Sequence, residues 1–161
     1  MKPVAIAIVS TLALGITAIN TSLAGEEQAV ALADVPEKLL QAAGALLPNA
    51  TFKTANTEKE SDGSIVYEIQ GLLEDGRKVE VDLFKDGKVQ EFEVEFSKDL
   101  VPGAVLKALD TKMPGFTPEY IEASHSPSKK VVQYEFVGKL ADQTLDLDVS
   151  ADGRRVEVAD Q

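Results

Sequence analysis

The chain has 161 residues, with 27 acidic side chains against 16 basic ones and a formal net charge of −11. That charge repels nucleic acid and anionic lipid and disfavours both as partners, while it favours cations and basic protein surfaces. There is no Cys and no Trp, so no disulfide staples the core, which must hold by burial alone.

The first 24 residues read as a secretory signal peptide. Lys2 is the only charge before Glu26, an apolar run spans Val4 to Ile19, and Ser22-Leu23-Ala24 carries the small residues that signal peptidase reads. Cleavage after Ala24 is expected, and Ala31-Leu32-Ala33 offers a second site. The competing reading is an uncleaved anchor, which the shortness of the run and Gly15, Thr17 and Asn20 argue against. Cleavage leaves about 137 residues with a charge of about −12, enough for one or two small domains. The exported product would reside in the periplasm or the medium, with no membrane attachment after cleavage. Residues 25–33 read as a linker.

A repeat of about 66 residues follows. Val35-Pro36, Leu40, Ala42, Pro48 and Thr51 match Val101-Pro102, Leu106, Ala108, Pro114 and Thr117. Tyr67-Glu68, Gly71, Leu73 and Asp75 match Tyr134-Glu135, Gly138, Leu140 and Asp142 one residue later, and the second copy lacks a partner for Gly76. Asp82, Asp86-Gly87 and Glu91 match Asp148, Asp152-Gly153 and Glu157. The copies divide as 34–97 and 98–161.

Each copy opens with a helix. Asp34 and Glu37 have the spacing of a capping box, Leu39, Leu40, Ala43, Leu46 and Leu47 form a stripe, and Pro48 ends it. Pro102 opens the second helix, Val105, Leu106, Leu109 and Met113 form its stripe, and Pro114-Gly115 closes it. The period then changes to two. Strands are expected over about 51–58, 65–73, 78–84 and 89–96, then 118–124, 131–140, 144–149 and 154–159. Turns such as Asp62-Gly63, Asp75-Gly76 and Asp86-Gly87 join them as hairpins. The expected fold class is α+β: two tandem units of a helix plus a four-stranded antiparallel meander, forming an eight-stranded sheet with the helices on one face.

These openings, Val35-Pro36…Leu40…Pro48 and Val101-Pro102-Gly103-Ala104-Val105…Met113-Pro114-Gly115, with the strands Tyr67-Glu68-Ile69 and Tyr134-Glu135-Phe136, resemble PepSY-like modules. The resemblance is to the small exported group similar to the β-lactamase inhibitory protein, and it covers about Asp34 to Asp160. It implies two α-β-β-β-β repeats, no catalysis, and a role as an exported inhibitor or interaction module. The chain departs from the inhibitor in having neither its disulfides nor its aromatic binding face, so no inhibitory residue carries over.

Alternation assigns the faces. Ile65, Tyr67, Ile69, Val79, Val81, Leu83, Phe92, Val94 and Phe96 are expected to face the helices in copy one. Val132, Tyr134, Phe136, Leu145, Leu147, Val149, Val156 and Val158 do so in copy two. The opposite face collects Glu68, Glu80, Asp82, Glu91 and Glu93 with Glu135, Asp146, Asp148 and Glu157. These nine are the candidate binding residues. They are expected to be solvated, and either a basic protein surface or, alternatively, weakly held divalent cations would suit them.

Catalytic signatures are missing. His125 is the only His, beside Ser126-Pro127-Ser128, and reads as a solvated turn residue, so neither a multi-His metal site nor a convincing Ser-His-Asp set is available. A glycosidase pair would need one carboxyl held protonated in an apolar pocket. The Asp-Gly turns lack the ligand spacing of a calcium loop, and no glycine-rich phosphate loop occurs. The expectation is a non-enzymatic, cofactor-free exported module that docks a protein through its sheet face or hairpin tips.

Overall fold

The computed structural model describes residues 27–60 and 62–159, so the signal peptide expected over 1–24 lies outside the described residues. Nine strands form one antiparallel sheet in simple chain order. They are β1 (Gln28–Val30), β2 (Ala50–Lys59), β3 (Ile65–Leu73), β4 (Lys78–Phe84), β5 (Val89–Glu95), β6 (Thr117–His125), β7 (Val131–Leu140), β8 (Gln143–Ser150) and β9 (Val156–Val158). Helix α1 (Glu37–Leu46) stands between β1 and β2, and α2 (Gly103–Lys112) between β5 and β6. No helix among the described residues is long and apolar enough to cross a membrane.

The sheet thus has nine strands where eight are expected, because the presumed linker contains β1, which pairs Gln28 with Thr57 and Val30 with Ala55. The Asp34–Glu37 capping box does not form. Pro36 is itself the N-cap and makes no side-chain cap bond, and Val35 before it is held extended, as a residue preceding proline prefers. The helix therefore starts two residues after the box would require. Pro102 caps α2 in the same way.

Both helices cover one sheet face. Leu39 and Ala43 pack on Ile69, Val81 and Leu83; Val105 and Leu109 pack on Phe136, Leu147 and Val149. Phe96 packs against both clusters and joins them. Gly71 and Gly138 each lie beside a register shift, and a Cβ on either would collide with a neighbouring backbone oxygen, Thr51's or Thr117's.

Several inward assignments shift. Tyr134 is 4% exposed, as expected, but Tyr67 is only half-buried. A bulge between Ser124 and His125 lets Val131 pack on the core and turns Val132 outward, 43% exposed. His125 closes β6 in phase with the buried Ile121 and Ala123, so it lies inside rather than in a solvated turn. Its ring is 9% exposed and stacks on Phe92 at 4.6 Å between centroids. Ile65 and Val158 lie near sheet edges and hairpin ends, and both are exposed.

The hairpin aspartates are consumed by their turns. Asp62, Asp75, Asp86 and Asp152 each accept a bond from the backbone N–H two residues on. Side-chain bonds from Ser64, Arg77 and Ser150 first, and then these backbone bonds, hold the Asp62, Asp75 and Asp152 carboxyls below the usual range; for Asp86 the Lys88 backbone bond comes first.

Candidate acidic groove

The open face carries its polar side chains in three rows running across the strands. In the first, Asn56, Glu68, Asp82 and Glu91 stand opposite one another on β2 to β5. The second runs Thr54, Gln70, Glu80, Glu93, Ser124, Gln133 and Ser150 from β2 to β8. The third runs Glu95, Glu122, Glu135, Asp148 and Glu157 from β5 to β9. Like charges directly opposite each other destabilise a ladder, and here the third row is built wholly from them and the first from Glu68 onward.

The rows line a groove of about 1250 Å³. Eight of the nine residues expected to form the site border it: Glu68, Glu80, Asp82, Glu91, Glu93, Glu135, Asp146 and Asp148. Glu157 stays at the rim, exposed and paired with Arg155 at 3.5 Å. Sequence alternation left out Glu58, Glu60, Tyr120, Glu122 and Ser124, which also line it. Glu122 was within reach, because Tyr120, Glu122 and Ser124 alternate with Ile121 and Ala123.

These carboxylates are not the solvated set the alternation implies. Glu68 is only 6% exposed. Neutral donors satisfy part of the row: Gln70 Nε2 donates to Glu80 at 2.7 Å, Ser124 Oγ to Glu93 at 2.9 Å, and Tyr120 OH to Glu122 at 2.6 Å. Glu68 Oε2, Asp82 Oδ1 and Asp146 Oδ1 are buried with no partner among the described residues. Loss of water and then mutual repulsion push the carboxyls up. Glu68 rises to about 8, with Glu80's charge as its second cause. Glu80 rises to about 7 and Glu135 to about 9, again through burial first. Asp82 and Glu93 lie well above the ordinary range for the same reasons, and Glu91, Asp146 and Asp148 are raised. Burial and Glu122 raise the Tyr120 phenol as well. The cations that line the groove, Lys53 and Lys78, do not offset this, and Lys78 Nζ sits over the Tyr120 ring, 4.9 Å from its centre.

Glu93, Glu122 and Glu135 form the tightest group: one oxygen from each lies within 4.8 Å of the others. Carboxylate oxygens gathered this closely suit a hard divalent cation in chemistry, although at least three further ligands or waters would be needed to complete its shell. Across the whole groove the arrangement can bind and neutralise positive charge.

Three solved structures share the fold. A BLIP-like protein from Bacteroides fragilis superposes with a TM-score of 0.58 at 20% identity, over 78% of this chain and 87% of its own. A DUF2874 family protein from Bacteroides uniformis gives 0.57 at 14% identity, over 77% and 89%. A proposed periplasmic protein from Bacteroides eggerthii gives 0.59 at 13% identity, over 76% and 88%. The chain has the BLIP-like fold. No protein-family model and no curated protein matches it in sequence.

Proposed function

We propose that the protein is a non-catalytic binding module that acts after export, in the periplasm or the medium, and docks a partner with a basic surface into the acidic groove. The observation that carries this reading is the facing carboxylates Glu122, Glu135 and Asp148, with the separate row Glu68, Asp82 and Glu91, in a groove with few cations of its own. A basic surface would supply the missing charge, speed its own encounter and lose affinity as salt rises. The fold shared with a BLIP-like protein supports an inhibitor of an extracytoplasmic enzyme as the first role to test, with the hairpin tips at the groove's ends as further contact points.

The domain reading belongs to the same proposal: signal peptide 1–24, linker 25–33, and PepSY-like tandem repeats over 34–97 and 98–161. The equivalent glycines Gly71 and Gly138, each pressed against a backbone oxygen beside a bulge, support the duplication.

The test is affinity capture from the envelope fraction with the parent protein and with a Glu80→Lys, Asp82→Lys, Asp148→Lys variant whose fold is checked by circular dichroism. A partner retained by the parent, released by salt and lost by the variant supports docking. Identical captures with both proteins contradict it. A second reading, a low-affinity divalent-cation binder, is favoured by the convergence of Glu93, Glu122 and Glu135. Calorimetric calcium binding that Glu122→Gln abolishes would support it.

A further inference from the structure

Glu68 differs from the other carboxylates of the groove. It is the most buried acid on the face, 6% exposed, and its Oε2 has no hydrogen-bond partner among the described residues. Directly opposite on β4 stands Asp82, whose Oδ1 is likewise buried and unpaired. The charged groups acting on this pair are all acidic: Glu58 from β2, Glu80 from β4, Glu91 from β5 and Glu27 from the segment before β1. Glu80 is already engaged by Gln70. Two buried acceptors without a donor therefore sit on directly opposite residues of the groove, with the Glu58 carboxyl also against Glu68, and leaving such groups unpaired is costly.

We infer that the Glu68–Asp82 pair is the anchor pocket of the groove and takes a guanidinium group, the side chain of an arginine on the basic partner. The inference rests on the proposed docking of a basic partner and deepens it. A guanidinium presents its N–H donors in a rigid planar fork, so it can donate to one oxygen on each of two facing carboxylates. It is also more weakly hydrated than an ammonium, so it enters a dry site at lower cost. A single metal ion needs its ligand oxygens to converge, and among the described residues the three carboxylates that do so are Glu93, Glu122 and Glu135, in the β5–β7 part of the groove. The Glu68 pocket offers free acceptors on two adjacent strands, which matches a fork better than a point charge.

The experiment is an NMR titration of the protein, labelled at its side-chain carboxyls, at low salt and alkaline pH with methylguanidinium, methylammonium, calcium chloride and octalysine in separate runs. Methylguanidinium should move the Glu68 and Asp82 signals and bind about tenfold more tightly than methylammonium, the scale of one charge-assisted bond. Glu68→Gln and Asp82→Asn, near-isosteric changes checked by circular dichroism, should each weaken it by about the same factor. Glu157→Gln at the rim should leave it unchanged. Equal binding of the two organic cations, equal effects of Glu68→Gln and Glu157→Gln, or calcium bound more tightly than methylguanidinium at Glu68 would each overturn the anchor. If octalysine still perturbs the groove in that event, basic docking survives without the anchor; if it does not, both fall.

Discussion

The two faces of this sheet are made from alternate residues of the same strands, yet they store free energy with opposite sign. Ile69 is fully buried under α1, and its neighbour Glu68 is almost as buried on the other side. The first gains from leaving water; the second loses hydration without gaining a cation. The pair Phe136 and Glu135 repeats the contrast on β7. The covered face therefore stabilises the fold, while the open face holds negative charge in a state that only added protons or an added cation can relieve.

The contrast is broken most forcefully on the covered face. Phe136→Ala and Tyr134→Ala should each cost about 3–5 kcal/mol in denaturant unfolding, as deletions of buried aromatic rings do. Tyr67→Ala, at the matching but half-buried position, should cost distinctly less. Equal losses at Tyr67 and Tyr134 would contradict the asymmetry between the halves.

On the open face the sign reverses. Glu68, Glu80 and Glu135 have folded values of about 8, 7 and 9 against an ordinary 4.5, so the folded state holds more protons than the unfolded chain between these limits. Stability should therefore be highest near pH 5 and fall as pH rises to about 9. His125 opposes this below about pH 6.5, where burial keeps the folded ring neutral and the unfolded chain takes up the proton. Thermal unfolding across that range should show a midpoint that declines toward alkaline pH; a midpoint that rises would contradict it. Glu135→Gln should raise the midpoint at alkaline pH and change it little near pH 5.

The smallest expected effect lies in the β7–β8 hairpin. Gly76 supplies φ +89° in the β3–β4 turn, whereas in the shorter β7–β8 turn Ala141 adopts φ +52°. Ala141→Gly should stabilise by up to about 1 kcal/mol, because a Cβ is disfavoured in the left-handed region. No gain in denaturant unfolding would show that the turn accommodates alanine without strain.

Local patterns carried most of this fold in the sequence. Leu39 with Ala43 and Val105 with Leu109 mark the helices by spacing, the Asp-Gly turns mark hairpins, and alternation places Ile69, Val81 and Phe136 inside. What escaped depends on contacts distant in the chain or on a broken period. β1 has three residues and exists through pairing with β2, some 25 residues on. Val132 turns outward because a bulge shifts the register beside it, and a slip of one residue changes the face. His125 continues the inward alternation of Ile121 and Ala123, which the turn residues Ser126-Pro127-Ser128 beside it obscured. The membership of Glu68 and Asp82 in the acidic face was legible from alternation. Their burial was not, because it arises from side chains on four neighbouring strands crowding one groove.

The most direct measurement is the titration of individual side-chain carboxyls by NMR in the folded protein, with no added cation. Glu68, Glu80 and Glu135 should titrate near 8, 7 and 9, while Asp75, bonded to its own turn and to Arg77, titrates below the usual range. Midpoints for all three glutamates close to 4.5 would show a solvated, evenly charged surface and contradict a groove that lacks its cation.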